Sequence, residues 1–407
     1  MELVVASAHG FVANGPASTG TTEALGRSNA AAILTRVLSE GPLARSEIAT
    51  RVGLTRATVT RVTNRLIEIG LLSEEAPRRD NPGRPLVPLA MSGGDRVVVS
   101  VHFGALESRV GLVDLKGTVL VEERDRYPDR DAENLVELVA ARVARVLETH
   151  GQSRRVLGIG ASVGGWVHPD TGDVLRFDPL GWRDVPLADL IAERTRLPVH
   201  FDQFSRGLAL AERMYGAARG LEDFLLIWIG SVVGAALVHD GQVRQGQDGA
   251  AGTIAHFPTR AARTEVCECG RPGCLMHAVN DQALLAEARR RGLVPEAADI
   301  RDLVRLAEVP WTGIGDLIEE MAGTAGEAAA AMADLTNPSA VVIAGLVTTS
   351  PRYLGAFRAQ YTANTVLGER AEVRRSGFGD LGPTIASAAV LLGHYFADPL
   401  GHERTTV

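Results

Sequence analysis

One stretch near the amino terminus carries a helical pattern of apolar positions. They recur at intervals of three and four residues, at Val59, Val62, Leu66 and Ile69. This spacing predicts one buried stripe along a helix through LTRATVTRVTNRLIEIGLL. Two shorter helices are predicted before it, over residues 28–39 and about 45–52, because Gly41-Pro42 and Gly53 interrupt the pattern. Short helices joined by tight turns are typical of a helix-turn-helix unit.

The opposite face of the third predicted helix is polar. Hydroxyl and guanidinium groups suit the phosphates and base edges of a DNA major groove. The candidate DNA contacts on this face are Thr55, Arg56, Thr58, Thr60, Arg61 and Arg65.

Short apolar runs after Gly70 flank the turn-rich segment RRDNPGRP, which predicts a β-hairpin wing. Arg79 and Arg84 at its tip are either further DNA contacts or part of a solvated charged loop. Directly after a basic helix we favour the contacts. We therefore predict a winged helix-turn-helix domain over residues 27–92, after a flexible tail over residues 1–26.

Charge is unevenly distributed along the chain. Residues 27–91 contain ten arginines and six acidic residues, a balance of +4, whereas the whole chain carries −7 and the remainder therefore −11. A basic segment joined to an acidic body indicates a nucleic-acid contact at one end. The sequence has no run of about 18 uncharged apolar residues, so no membrane span is expected. Glu2 stands where a signal peptide would carry positive charge, and we expect a cytoplasmic protein.

Beyond the predicted wing, the pattern changes to alternating strands and helices. SGGDR, residues 92–96, predicts a short hinge. Three strands with a tight turn at Lys116-Gly117 follow, then a helix over about 132–150 and another buried strand. A second glycine-rich strand pair begins near residue 224. Two similarly organised halves predict a layered α/β body of two lobes.

The lobe boundaries follow from this pattern. We assign lobe 1 to residues 97–215, completed by a C-terminal helix over about 383–396, and lobe 2 to residues 216–382.

All three cysteines lie within eight positions of the motif CECGRPGCLMH, residues 267–277. Their spacing on a glycine-rich loop suits three corners of a zinc tetrahedron, with His256 or His277 as the fourth ligand. Core thiols, or one disulfide with a leftover cysteine, are the alternatives. The polar loop and the odd cysteine count disfavour both.

The order of these motifs resembles that of the ROK family, which comprises sugar kinases and sugar-responsive repressors. The motifs that carry the resemblance are GIGASVGGWVHPDTGDVLRF, LGWRDVPL, GSVVGAALVHDGQVRQGQDGAAGTIAHF and CECGRPGCL. The resemblance implies an actin-like, sugar-kinase-like (ribonuclease H-like) fold for the two lobes and a homodimer or homotetramer. It also implies a structural Zn2+ bound by His256, Cys267, Cys269 and Cys274. ROK proteins that carry an N-terminal winged helix are regulators, whereas the free-standing kinases lack one.

Positions that hold the substrates in ROK kinases carry other residues in this chain. His102 replaces the acid of the first phosphate turn, and Val232 replaces a glycine of the second. Phe204 stands at the position of the catalytic aspartate and cannot accept a proton. Further departures are Ala105, Leu106, Pro179, Gln203, Arg206, Thr253 and Met276. The resemblance therefore implies a body without kinase activity.

The diverged sugar site leaves two interpretations. The first is an altered pocket for an effector, either sugar-derived or anionic, since a buried arginine pairs well with an anion. Its residues would be Gln203, Arg206, Thr253 and His256. The second is a degenerate cleft that binds nothing.

The expected function is that of a repressor. Two winged helices of an oligomer would bind a palindromic double-stranded DNA operator, and an effector would shift their spacing. A ROK-type sugar kinase that retains ATP-dependent activity is the alternative, and a pure interaction scaffold is a third possibility.

Overall fold

The computed structural model describes residues 22–78, 86–261, 266–267 and 269–402. These residues divide into two compact units. The first lies within Met1–Gly220 and Leu381–Val407, and the second lies within Leu221–Asp380.

The first unit opens with three helices and a small antiparallel sheet. These elements are α1 (Thr22–Glu40), β1 (Leu43–Ala44), α2 (Arg45–Val52), α3 (Arg56–Glu68), β2 (Leu72–Glu74) and β3 (Pro88–Met91). The strand order is β1-β3-β2, so β2 and β3 form the predicted hairpin wing. The three predicted helices are present, and Val59, Val62 and Leu66 of the predicted stripe are buried. Helix α1 starts at Thr22, inside the predicted tail, and residues 1–21 lie outside the described part of the chain.

A five-stranded mixed sheet forms the body of the first unit. The elements of this body are β4 (Arg96–Phe103), β5 (Glu107–Asp114), β6 (Val119–Arg126), α4 (Ala132–His150), β7 (Arg155–Val163), β8 (Trp166–Val167), β9 (Val174–Phe177), β10 (Trp182–Val185), α5 (Leu187–Thr195), β11 (Val199–Gln203) and α6 (Phe204–Tyr215). Strands β8, β9 and β10 form a separate small sheet of order β10-β9-β8. The strand order of the five-stranded sheet is β11-β7-β4-β5-β6. Strands β4, β5 and β6 are antiparallel, and β7 and β11 are added in parallel.

The second unit repeats this strand order. Its elements are β12 (Phe224–Ile229), β13 (Val233–His239), β14 (Gln242–Val243), α7 (Met276–Val279), α8 (Asp281–Arg290), α9 (Ile300–Ala307), α10 (Ile314–Thr336), β15 (Ala340–Gly345), α11 (Pro351–Asn364) and β16 (Glu372–Arg375). The strand order is β14-β13-β12-β15-β16, again with an antiparallel meander extended by two parallel strands. Each unit therefore contains one copy of the same topology, as the two glycine-rich halves of the sequence predict.

Two C-terminal helices, α12 (Gly382–Ala397) and α13 (Pro399–His402), return to the first unit. Helix α12 is buried along most of its length and packs on β4, β7 and α6. Helix α1 of the winged module packs in turn against α6, α12 and α13. One hydrophobic cluster contains both Ile33 and Leu34 of α1 and Leu392 of α12. The winged module and the lobe beside it therefore share a core.

Residues at the end of the expected hinge, 92–96, form hydrogen bonds with neighbouring elements. The Arg96 side chain is buried, and its guanidinium group donates a hydrogen bond to the backbone carbonyl of Ile69 at the end of α3. The Arg155 amide donates to the Asp95 carbonyl at 2.9 Å. The hinge stays a prediction, and the structure adds to it a contact between Arg96 and a helix-end carbonyl 27 residues earlier.

Candidate DNA-binding and metal sites

The recognition helix α3 is started by a threonine cap. The Thr55 hydroxyl accepts a hydrogen bond from the Thr58 amide at 3.2 Å, which satisfies one of the free amides of the first turn. The Thr55 and Thr58 hydroxyls lie 2.9 Å apart, and the Thr60 hydroxyl donates to the Arg56 carbonyl at 2.8 Å. The predicted contact residues Thr55, Thr58 and Thr60 therefore also form hydrogen bonds within the first turns of α3.

Two arginines on the outer face of α3 are available for a ligand. Arg56 and Arg61 are exposed, and among the described residues neither side chain has a hydrogen-bond or ion-pair partner. Arg65 is also exposed, but its guanidinium lies 3.0 Å from a Glu68 carboxylate oxygen. Two uncompensated positive charges on one helix face suit a polyanion such as DNA.

Sequence reasoning missed Arg45, the first residue of α2. Its guanidinium donates to the Thr63 hydroxyl and to the Asn64 side-chain oxygen, each at 3.2 Å, and lies 2.9 Å from Glu74 in β2. The side chain therefore connects α2, the recognition helix and the wing. Because these partners are far apart in sequence, no local pattern identifies this role.

The tip of the wing lies outside the described residues, and with it the predicted contacts Arg79 and Arg84. The hairpin is described as far as the bridge between Arg78 and Leu86. Arg78 is exposed, and its guanidinium lies 3.1 Å from Glu47 of α2.

A backbone pairing in the second unit brings the cysteine motif to His256. Pro258 forms a β-bridge with Cys274, and the Leu275 amide donates to the Phe257 carbonyl at 2.8 Å. On the other side of the motif, the Gly270 amide donates to the Cys267 carbonyl at 2.7 Å, which closes a tight turn. Gly270 has a φ of 80°, a left-handed conformation that favours glycine.

His256, Cys267, Cys269 and Cys274 form one cluster, with one ligand atom of each within 4.8 Å of all the others. The Sγ atoms of Cys269 and Cys274 lie 3.5 Å apart, and His256 Nδ1 lies 3.4 Å from Cys267 Sγ. A disulfide needs about 2.05 Å between sulfurs. Zn–S bonds of about 2.3 Å place the corners of a tetrahedron about 3.8 Å apart. The residues therefore fit a zinc ion, and all three cysteines are free thiols.

The thiols of Cys269 and Cys274 differ in acidity. Hydrogen bonds with Arg271, from the backbone first, lower the pKa of Cys269 to about 7. Burial raises the pKa of Cys274 to about 12. His277, the alternative fourth ligand, is not in the cluster, and its Nε2 atom is buried without a hydrogen-bond partner among the described residues.

The position of the first phosphate-binding acid is filled by a buried, neutral imidazole. His102 Nδ1 lies 3.0 Å from the Ser162 hydroxyl, which in turn lies 2.7 Å from the Ser387 hydroxyl of α12. The His102 ring packs on Phe204, with centroids 5.0 Å apart. Burial lowers the pKa of His102 to about 3, so the ring carries no charge at neutral pH. His102, Ser162 and Ser387 are therefore buried and in contact with one another.

Arg206, expected to receive an anionic effector, already has a counter-ion. Its side chain is fully buried and forms an ion pair with Asp202, with Nε to Oδ1 at 2.8 Å. The Gln203 side-chain oxygen accepts the Arg206 amide at 3.0 Å and caps α6. An anion at Arg206 would have to displace an internal carboxylate.

The second phosphate turn, GSVVG, lies in the second unit beside a carboxylate. The Ser231 hydroxyl donates to Asp281 at 2.8 Å, and burial raises the pKa of Asp281. Whenever Asp281 is ionised, its charge repels a phosphate at this turn. Thr253, another candidate effector residue of this unit, is exposed, and its hydroxyl donates to the Ala250 carbonyl at 2.8 Å. Asp281 lies fifty residues from the turn, which is why sequence reasoning missed it.

No helix of the described residues combines the length and hydrophobicity needed to cross a membrane.

Comparisons with known proteins agree with this architecture. The ROK family profile matches residues 98–392, and the MarR family profile matches residues 28–81. The chain is 32% identical over 393 residues to the transcriptional regulator Rv0485 of Mycobacterium tuberculosis (strain ATCC 25618 / H37Rv), covering 93% of this chain and 88% of that one. It is 26% identical over 348 residues to the N-acetylglucosamine repressor of Escherichia coli O157:H7, covering 84% and 86%.

Two solved structures share the fold. A ROK family transcriptional regulator, a homologue of the E. coli MLC protein, superposes with a TM-score of 0.75 at 24% identity over 92% of this chain and 98% of its own. A ROK family glucokinase from Streptomyces griseus, in complex with glucose and AMPPNP, gives 0.65 at 25% identity over 72% and 98%.

A winged helix-turn-helix module joined to two lobes of the actin-like sugar-kinase topology defines the class of protein, and the predicted fold class is confirmed. The chain belongs to the ROK family, as its motifs indicate.

Proposed function

We propose that this chain is a DNA-binding transcriptional regulator, acting as a repressor, whose ROK body does not phosphorylate sugars. The observation that carries the proposal is the pair of exposed guanidinium groups of Arg56 and Arg61 on the recognition helix, which have no hydrogen-bond or ion-pair partner in the described part of the chain. The remaining predicted contacts are Thr55, Thr58, Thr60, Arg65, Arg79 and Arg84. The names of Rv0485 and of the N-acetylglucosamine repressor support the same function.

The proposed absence of kinase activity rests on three substitutions, His102 and Val232 in the two phosphate turns and Phe204 at the position of the catalytic aspartate. Phe204 replaces the proton acceptor and is buried against neutral His102. Asp281 places a carboxylate beside the second phosphate turn. Phosphoryl transfer depends on positioned metal, phosphate and base, so the loss of all three removes the reaction.

A structural Zn2+ is the proposed metal, bound by His256, Cys267, Cys269 and Cys274. Three cysteines and one histidine complete a tetrahedral shell with no open position, which suits a structural role. The ion would hold the 255–259 and 267–275 segments together in the second unit.

The effector of this regulator is proposed to be an uncharged sugar derivative. The relative named as an N-acetylglucosamine repressor favours a sugar-derived ligand. The ion pair between Arg206 and Asp202 disfavours an anionic one, because the positive charge is already neutralised. By correspondence with the family's sugar positions, the candidate contacts remain Gln203, Arg206, Thr253 and His256.

The active form is proposed to be a homodimer or homotetramer in the cytoplasm, bound to a palindromic operator. A mobility-shift titration with the DNA upstream of its own gene tests DNA binding. Incubation of the same protein with labelled ATP and a panel of hexoses tests the alternative of a sugar kinase. A retarded complex without sugar phosphorylation is expected, and hexose-dependent consumption of ATP would overturn the proposal.

A further inference from the structure

Helix α6 connects the diverged sugar-site positions to the winged module within the first unit. Its amino-terminal end holds Gln203 as the cap and Arg206 as a fully buried residue. Towards its other end, Met214 belongs to the hydrophobic cluster that includes Ile33 and Leu34 of α1. Just beyond the helix, Arg219 Nε donates to the Ser39 carbonyl of α1 at 3.0 Å. One short helix therefore contacts both regions.

The Asp202 carboxylate organises the amino-terminal end of α6. It accepts Arg206 Nε at 2.8 Å and the Gln203 amide at 2.7 Å. The Arg206 guanidinium also donates to the Val167 carbonyl at 3.2 Å. A buried guanidinium without its carboxylate is costly, so the position of α6 depends on Asp202.

The strand that carries Asp202, β11, also packs against α12. The His394 ring stacks on His200 of β11, with centroids 4.3 Å apart, two residues before Asp202. Burial lowers the pKa of His394, and the negative charge of Asp202 opposes that shift. Asp202 therefore lies on a strand that contacts α12, while its carboxylate is bonded to Arg206 of α6.

Helices α6 and α12 both also pack against α1. At the far end of α12, Asp398 pairs with Arg27 of α1, with Nε to Oδ1 at 2.8 Å. A well-packed core transmits small displacements because it has few voids to absorb them. A shift of either helix at Asp202 would therefore move α1 and the DNA-binding module built on it.

We propose that Asp202 is a positioning residue that fixes α1, and so the recognition helix, through α6 and α12. It is the point at which a ligand or a repacking of the diverged site changes operator affinity, while Asp202 itself never contacts DNA. This inference rests on the proposed regulatory function.

The test uses the full-length protein with two readouts: operator affinity by fluorescence anisotropy and amide hydrogen exchange over residues 22–40 without DNA. Asp202→Asn is expected to weaken operator binding at least about fivefold and to speed exchange in α1. The double variant Asp202→Asn/Arg206→Met, which removes both charges, is expected to recover most of the affinity. Asp178→Asn is the matched control, because this carboxylate of the same unit pairs with Arg176 and Arg183. It should leave both readouts within about twofold.

Arg219→Gln is the second variant, since this exposed side chain can be changed without disturbing the core. It should speed exchange in α1 while the melting temperature stays unchanged. A folded Asp202→Asn protein with wild-type affinity and wild-type exchange in α1 would overturn the inference. If the wild-type protein binds no operator, the proposed function is wrong. Hydrogen exchange in α1 of Asp202→Asn still tests whether Asp202 positions that helix. If the Asp202→Asn protein does not fold, Arg219→Gln provides the test instead. Unchanged hydrogen exchange in α1 of that variant would overturn the inference.

Discussion

Arg96, the first residue of β4, donates its guanidinium hydrogen bond to the backbone carbonyl of Ile69, the residue that caps the recognition helix. The side chain is only 7% exposed, so this contact lies inside the core shared by the winged module and the sheet. It fixes the end of the recognition helix to the first strand of the body.

We expect Arg96→Met to lower the free energy of unfolding of the first unit by about 1–3 kcal/mol, because the Ile69 carbonyl loses its buried partner. Operator affinity should fall as well, since the spacing of the two recognition helices in an oligomer is then less constrained. Urea unfolding and anisotropy measure the two effects. Arg154→Met, at an exposed arginine near the start of β7, is the matched control. Equal stability of the two variants would contradict a pinning role for Arg96.

On the recognition helix, Arg56→Ala and Arg61→Ala should each weaken operator binding by about 1–3 kcal/mol if the side chain reads a base. If the side chain contacts a phosphate instead, the slope of log binding constant against log salt concentration should become shallower by about one. Arg65→Ala should have a smaller effect, because Glu68 already compensates that charge. If both Arg56→Ala and Arg61→Ala bind the operator with unchanged affinity, α3 is not the helix that recognises the DNA.

For the metal cluster, Cys269→Ser should abolish stoichiometric zinc and lower the melting temperature of the second unit, because the folding energy that the metal supplies is lost. Atomic absorption on protein purified without added metal gives the content. His277→Ala should retain zinc, since that residue is outside the cluster. Zinc retained in Cys269→Ser, or lost in His277→Ala, would assign the ligands differently.

Stability should depend on pH through the buried histidines. The pKa of His102 is about 3 in the folded chain against 6.5 for an exposed histidine, so below about 6.5 only the unfolded chain takes up the proton. The contribution of His102 to the free energy of unfolding is therefore fully present above about pH 6.5. It is lost as the pH falls below that value, by about 1.4 kcal/mol for each pH unit. His200, whose pKa burial also lowers to about 3, adds to the same slope.

His102→Asn should therefore reduce the slope of unfolding free energy against pH between pH 6 and 5, measured by urea unfolding. His150→Asn changes an exposed histidine of the same unit and should leave the slope unaltered. An identical slope in the wild type and His102→Asn would mean that His102 is protonated in the folded state.

The elements that carry strong local patterns were predictable from sequence. The stripe through Val59, Val62 and Leu66 places the recognition helix, and the strand-turn-strand pattern after Arg96 places the first meander. The resemblance to the ROK family implies His256, Cys267, Cys269 and Cys274 as metal ligands, and the structure brings their donor atoms together. Each of these features is set by residues close to one another in the chain.

Features that depend on distant partners were not predictable. Arg96 pairs with Ile69, Asp281 with Ser231, and Asp202 acts on His394 of α12. Arg206 is a different case, because its partner Asp202 lies only four residues earlier in the chain. Its residue type suggests an anion receptor, but the fold supplies Asp202 as its partner. A charged residue cannot be assigned to a ligand until its internal counter-ion is known.

The most direct test of the central claim is affinity enrichment of sheared DNA from the source genome on the purified full-length protein, followed by sequencing. Enrichment of a small set of fragments that share an inverted repeat, lost in an Arg56→Ala/Arg61→Ala double variant, is the predicted result. Uniform recovery of all fragments, or an enrichment that the double variant retains, would contradict a regulator that reads DNA through α3.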